Sequence, residues 1–213
     1  MKDDGPFKSN WRERKWFRSR IVFYGYVTDR KPVDPAPVSG FVLSEHVLGS
    51  ERSRNNLREW LPRVITEKEI PGVRMTCLTV EERESKRRVG AATLMCADTA
   101  GIWYDNLPMA QGECRLVGLY VDPEFRGFGL GSWLQHARFR MAVLDPRCGL
   151  VSAVVESHRL PSIRAQRSRF KTETRNILIK ICGRNVLSVV KNGPHKGVWY
   201  VGPFRERKWV RMD

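Results

Sequence analysis

The sequence predicts an α/β protein whose mixed, mostly antiparallel central sheet is flanked by helices. Three observations carry this expectation. Short β-prone runs bounded by turn residues recur along the 213 residues. Two of these runs are followed by a charged or glycine-bearing turn and a second run, the pattern of a hairpin. One glycine-rich arch leads from an apolar strand into a stretch with apolar residues at helical spacing.

Taken in order, residues 1–19 read as a basic, aromatic-bearing arm, and Arg20–Val27 reads as a strand. The turn-rich Thr28–Pro37 follows with three prolines, and Val38–Leu43 is a second strand. His46–Val64 contains a helix with Leu57, Trp60 and Leu61 on one face, ended or kinked at Pro62. Val73–Val80 and Val89–Cys96 form a hairpin around the charged Glu81–Arg88. Asp98–Gly112 is a loop, Glu113–Val121 a strand, and Gly149–Val155 a buried strand. Pro161–Phe170 is a short basic helix. Arg175–Cys182 and Val186–Lys191 pair around Gly183-Arg-Asn185, and Val198–Val201 adds a last strand.

Composition narrows the class. No apolar run reaches the ~18–20 residues of a membrane-spanning helix, and Met1-Lys-Asp-Asp-Gly-Pro6 is too polar for a signal peptide. A cytoplasmic location is expected. The five cysteines (Cys77, Cys96, Cys114, Cys148, Cys182) lie mostly in apolar strand-like runs without C-x-x-C spacing, so buried free thiols are expected. The four histidines form no ligand pair, and no metal is predicted. The net charge of +15 thickens at residues 1–20, at 159–171 and near the C-terminus. Trp11–Arg18 and Phe204–Arg211 share six of eight residues. Basic patches with interleaved aromatics suit nucleic acid, and they also suit anionic membranes, coenzyme phosphates or no specific partner.

The most informative segment is Leu116-Val-Gly-Leu-Tyr-Val-Asp-Pro-Glu-Phe-Arg-Gly-Phe-Gly-Leu-Gly131. Pro123 biases Asp122 away from helix, which ends the strand. Leu130, Trp133, Leu134, Ala137, Met141 and Leu144 then mark one buried helix face. Arg126, Gly127, Gly129 and Gly131 thus sit where a strand hands over to a helix N-terminus, whose unpaired amides favour anions. The dinucleotide fingerprint requires G-x-G-x-x-G and the Walker motif requires Gly-Lys-Ser/Thr; this chain has neither.

Arg126-x-x-Gly129-x-Gly131, preceded by Leu119-Tyr-Val-Asp-Pro123, resembles the acetyl-CoA pyrophosphate loop of the GNAT N-acetyltransferase superfamily. The resemblance covers roughly residues 38–191. It leaves 1–37, the basic arm and first strand, and the basic 192–213 as additions. It implies a fold in which the strand before the loop splays from its parallel neighbour to receive the pantetheine. It also implies that Leu119, Tyr120 and Val121 hold the pantetheine, and that Arg126, Gly127, Phe128, Gly129, Leu130, Gly131 and Ser132 hold the pyrophosphate. The activity implied is N-acylation: transfer of acetyl from acetyl-CoA, the co-substrate, to an amine by direct attack.

Such a site requires a base and a group that protonates the thiolate. Glu113, at the start of the coenzyme strand, is the first candidate base, matching the base glutamate of the histone-acetyltransferase branch; its alternative role is a strand-end carboxylate paired with an arginine. Glu156, ending the next strand, is the second. Tyr104 and Asp105 are placed to line an acceptor pocket. Asn and Tyr, common in the family after the fifth strand, are absent, and Arg169 stands where Gly is usual; Ser162, His158 or solvent is left as the acid. Cys114 and Cys148 read as core. The alternatives to an amine acyltransferase are a GNAT-fold enzyme modifying DNA or RNA, a non-catalytic module binding CoA or nucleic acid, and, ranked lower, a transcription regulator. The acceptor and oligomeric state are left open.

Overall fold

A computed structural model of the chain describes residues 17–27, 34–57, 70–181, 184–201 and 209–210. The strands are β1 (Phe17–Tyr26), β2 (Phe41–Val47), β3 (Val73–Glu82), β4 (Arg88–Ala97), β5 (Ile102–Tyr104), β6 (Leu107–Met109), β7 (Glu113–Val121), β8 (Leu150–Glu156), β9 (Thr172–Ile181), β10 (Arg184–Val190), β11 (Gly197–Tyr200) and β12 (Trp209–Val210). Among the described residues three helices accompany them: α1 (Glu51–Asn55), α2 (Leu130–Leu144) and α3 (Leu160–Arg167). Ten strands form one sheet in the order β12-β11-β10-β9-β1-β8-β7-β4-β3-β2, and β5–β6 is a separate hairpin. Among the described residues of the large sheet, only β7 and β8 run parallel. The expected mixed, mostly antiparallel sheet is present.

Several elements differ from expectation for identifiable reasons. Within the His46–Val64 stretch expected to contain a helix, Ser50 caps α1 through a capping box with Ser53, so the helix begins at Glu51. Trp60, Leu61 and Pro62 lie outside the described residues, as does nearly all of the basic arm. The loop 98–112 contains the β5–β6 hairpin, with Asp105 and Asn106 at φ 50° and 59° in its two-residue turn. β1 is no appendage: it lies between β8 and β9, and its Val22 and Phe23 are fully buried. Cys96 and Cys114 occupy opposite positions on β4 and β7, with Cα atoms 4.1 Å apart, and form a disulfide. That corrects the expectation of free thiols throughout; Cys77 is free and buried, Cys148 is buried, and Cys182 lies outside the described residues.

One core lies beneath α2 and α3, where Phe23, Leu116, Ala142, Val151, Val155, Ile163 and Phe170 pack together. Beside it Leu130, Trp133, Leu134 and Ala137 of α2 pack on Leu78, Val80 and Val89. Met75, Met95, Ile102 and Met109 belong to a further cluster. Leu144 ends the predicted helix face exposed, because the chain turns away there.

Two buried arginines hold the β5–β6 hairpin. Arg20 of β1 donates to Asn176 Oδ1 from Nε (2.8 Å) and Nη2 (2.6 Å), and from Nη1 to the Asp105 carboxylate at 2.6 Å and its carbonyl at 2.8 Å. Arg115 of β7 donates to the carbonyls of Tyr104 (3.2 Å) and Pro108 (2.7 Å) and pairs with Glu113 at 2.7 Å. Glu113 is fully buried; it also accepts from the Ala110 amide at 2.9 Å and from Ser152 Oγ. His195 Nε2 lies 3.3 Å from Glu113 Oε2. Burial alone would push this carboxyl up, but Arg115, aided by His195 and Ser152, outweighs it and holds the pKa at about 2.

Three outcomes follow. A carboxylate with a depressed folded-state pKa contributes stability above the unfolded value that disappears as the pH falls through the folded one. The stability gap between wild type and Glu113→Gln, measured by urea unfolding, should therefore be wide at pH 7 and narrow from about pH 4.5 toward 2. Arg20→Ala leaves Asn176 and Asp105 without their donor and should lower the unfolding free energy by about 3–5 kcal/mol. Arg87→Ala, which removes surface pairs to Asp122 and Glu124, should barely move the urea midpoint.

Candidate active site

The site begins with one extra residue. β7 pairs regularly with β4 from Cys114 to Val117, and again from Leu119 to Val121, but Gly118 is skipped in the register. It sits at φ 47°, a left-handed conformation that glycine adopts without strain. On its other side β7 pairs with β8 only from Glu113↔Leu150 to Leu116↔Ala153. Beyond that point each strand follows its other neighbour. Val117–Val121 stays with β4, while Val154, Val155 and Glu156 stay with Val22, Ile21 and Arg20 of β1. The two parallel strands therefore diverge into a split, as the resemblance implies. Gly118, Leu119 and Tyr120 are exposed along one side of it. Backbone amides and carbonyls on a strand edge with no facing strand are available to an extended ligand.

The split opens onto the glycine arch. Asp122 leads into a 3-10 turn at Pro123–Phe125, and Arg126 Nε donates back to the Val121 carbonyl at 3.2 Å. Phe125 and Phe128 pack on Phe41, with centroids 6.0 and 6.2 Å away, so the arch is anchored to the edge of the sheet. Gly127 and Gly129 stand at φ 93° and 83°, and a Cβ on either would meet nothing within 4 Å. Gly129 is the N-cap of α2, and the first backbone bond of the helix runs from the Trp133 amide to the Gly129 carbonyl at 3.0 Å. The amides of the first turn therefore lack intrahelical acceptors and carry the positive end of the helix dipole. Phe128, Gly129 and Ser132 are exposed, Gly131 is half-buried, and Leu130 points into the core. Leu119–Val121 and Arg126–Ser132 are thus brought into one continuous edge-and-arch surface.

The catalytic candidates separate. Glu113 lies at the closed end of the β7–β8 pair, sealed by Arg115, Ser152 and Ala110, which matches its arginine-paired alternative. Glu156 lies at the open end, opposite Arg20 in the register, half-buried and ion-paired with Arg18. Asp105 reaches toward the same end through its pair with Arg20, and its carboxylate remains 39% exposed. Tyr104 is half-buried, and burial raises its hydroxyl pKa, with Asp105 adding to the effect. Ser162 is exposed on the first turn of α3, and His158 is exposed in the turn before it. Cys114 and Cys148 are core residues. Arg18, which holds Glu156, and the buried Arg138 of α2 were not singled out from the sequence. Position 138 lies four residues after Leu134 on the buried face, so its charge was a visible anomaly in the helical pattern.

No helix among the described residues is long and apolar enough to cross a membrane. No protein-family model matches the chain, and no curated protein matches it. Solved structures do. A tandem GNAT protein from the clavulanic acid biosynthesis pathway superposes with a TM-score of 0.50 at 14% identity, covering 72% of this chain and 48% of its own. A Drosophila protein gives a TM-score of 0.51 at 13% identity, covering 79% of this chain and 52% of its own. A GCN5-related N-acetyltransferase from Sphaerobacter thermophilus gives 0.46 at 17% identity, covering 78% and 50%. The chain spans about half the length of these structures. At these identities the likeness is one of fold, and with the split and the arch in place it allows one conclusion: the chain has the GNAT fold.

Proposed function

We propose that the chain is an acyl-CoA-dependent N-acyltransferase, with acetyl-CoA as donor and an amine as acceptor. The observation that carries this reading is the split between β7 and β8 opening directly onto the Gly127–Gly131 arch. The pantetheine amides would pair along the exposed stretch of β7 at Leu119–Tyr120, and the pyrophosphate would rest on the α2 amides beside Arg126. The thioester then lies in the split. The amine attacks its carbonyl carbon, a C–N bond forms, the C–S bond breaks, and the electron pair leaves with sulfur as a thiolate. Holding the two reactants in line is the main contribution, since no protein nucleophile is required.

The ammonium proton needs an acceptor at the open end, and Glu156 occupies that place. A carboxylate held near pKa 2, as in Glu113, accepts protons poorly at neutral pH, so Glu113 is assigned to holding the strand start. Arg18 fixes the orientation of Glu156. The thiolate departs toward α3, where Ser162 or water returns its proton. A polyanionic acceptor such as DNA is the second reading, favoured by the exposed Arg159, Arg164, Lys171 and Arg175 on the α3 side.

Gly131 offers a clean test, because its backbone is ordinary and a Cβ would meet only Val121 Cγ2 at 3.8 Å. Gly131→Glu places a carboxylate where the pyrophosphate should sit, while an acid at a helix N-terminus favours the fold. Calorimetric titration should show acetyl-CoA binding to wild type and Gly131→Ala in the micromolar range and binding lost in Gly131→Glu at unchanged melting temperature. Wild type that binds neither acetyl-CoA nor CoA contradicts the reading. In a screen of amines, peptides and DNA as acceptors, Glu156→Gln should keep coenzyme affinity and lose about 100-fold in kcat; unchanged kcat would remove Glu156 as the base.

A further inference from the structure

Three buried side chains cross from one side of the split to the other. Arg138, 2% exposed, donates through Nη1 to the carbonyls of Val117 at 2.7 Å and Thr93 at 3.0 Å. Those carbonyls belong to the residues paired immediately beside Gly118, where the bulge interrupts the ladder. Through Nη2 the same guanidinium donates to Gln135 Oε1. Gln135, also 2% exposed, donates through Nε2 to Gln166 Oε1 of α3 at 3.0 Å. The Val117 carbonyl is thereby connected through α2 to α3, the helix that follows β8.

This arrangement is expensive for a protein core. Among the described residues no carboxylate pairs with Arg138, and its Nε has no hydrogen-bond partner. Burial, and then the nearby Arg169, lower its pKa to about 9. An uncompensated buried cation costs several kcal/mol, and a well-packed hydrophobe of similar volume is commonly as stable or more so. The surrounding Leu134, Ala137 and Ala142 would accept methionine or leucine on packing grounds alone. What a hydrophobe would not do is bond the two carbonyls at the bulge and link them to α3.

We propose that Arg138, Gln135 and Gln166 form a positioning relay that fixes the bulge and the width of the β7–β8 split, so that a bound acyl thioester is held in line for attack. The inference rests on the acyl-transfer reading and adds to it three residues that touch no substrate. The relay carries no proton; its contribution is geometric.

The test compares wild type, Arg138→Met, Gln166→Leu and the double variant. Urea unfolding is read beside acetyl-CoA affinity and turnover. The relay predicts that Arg138→Met unfolds at or above the wild-type midpoint yet loses at least about tenfold in coenzyme affinity or kcat. It predicts that the double variant is no worse than the poorer single one, because both break the same connection. Arg138→Met with wild-type affinity and turnover overturns the proposal. If Arg138→Met does not fold, Gln166→Leu, which leaves the bulge carbonyls partnered, decides: a loss supports the relay and no change overturns it. If wild type itself binds no acyl-CoA, the acyl-transfer reading fails separately. The relay is then read by hydrogen exchange at Leu119–Val121, where Arg138→Met must accelerate exchange and an unchanged rate overturns it.

Discussion

The extra residue at Gly118 is the constraint from which the rest of the site follows. A regular β7 would continue its parallel pairing with β8, and its edge groups would be consumed by the ladder. With Gly118 outside the register, β7 follows β4 and β8 follows β1. The exposed half of β7, the arch and the first turn of α2 then form one surface, on which the first amides of α2 lack intrahelical acceptors. The glycines of the arch matter for the same reason: positive φ at Gly127 and Gly129 turns the chain directly from strand edge into helix N-terminus.

The charges are arranged around that split rather than spread evenly. At the closed end Arg115 neutralises Glu113 and holds the β5–β6 hairpin against the sheet. At the open end Arg18 and Arg20 leave Glu156 and Asp105 oriented and partly accessible. Between them Arg138 pairs with no carboxylate among the described residues. Three of these arginines, Arg20, Arg115 and Arg138, lie among the largest fully buried side chains, which identifies polar satisfaction, more than apolar area, as what specifies this region.

The fold class was legible because its signals are local. Glu113–Val121 and the helix from Leu130 to Leu144 are bounded by Pro123, the glycines and a clean apolar period, and the structure gives the same limits. The arch was legible because its spacing is unusual. The placement of β1 in the middle of the sheet was not, since an antiparallel strand reads the same from an edge or a centre and only partner choice distinguishes them. The β5–β6 hairpin was missed because its strands are three residues each, too short for alternation to register. Cys96 and Cys114 were read as free thiols because pairing depends on β4–β7 register, which sequence spacing does not reveal. Glu113 stands ahead of Glu156 as candidate base in the sequence; the partners that separate them, Arg115 beside the one and the open end of the split beside the other, come from long-range packing that the sequence does not reveal.

The central claim is that the divergent edge of β7 and the arch at α2 form one coenzyme seat. Amide-resolved NMR titration with CoA tests it most directly. The account predicts shift changes concentrated at Leu119–Val121 and Phe128–Ser132, with weaker ones at Val154–Glu156, and almost none in the β5–β6 hairpin. Saturable shifts located elsewhere, or none at millimolar CoA, would contradict it.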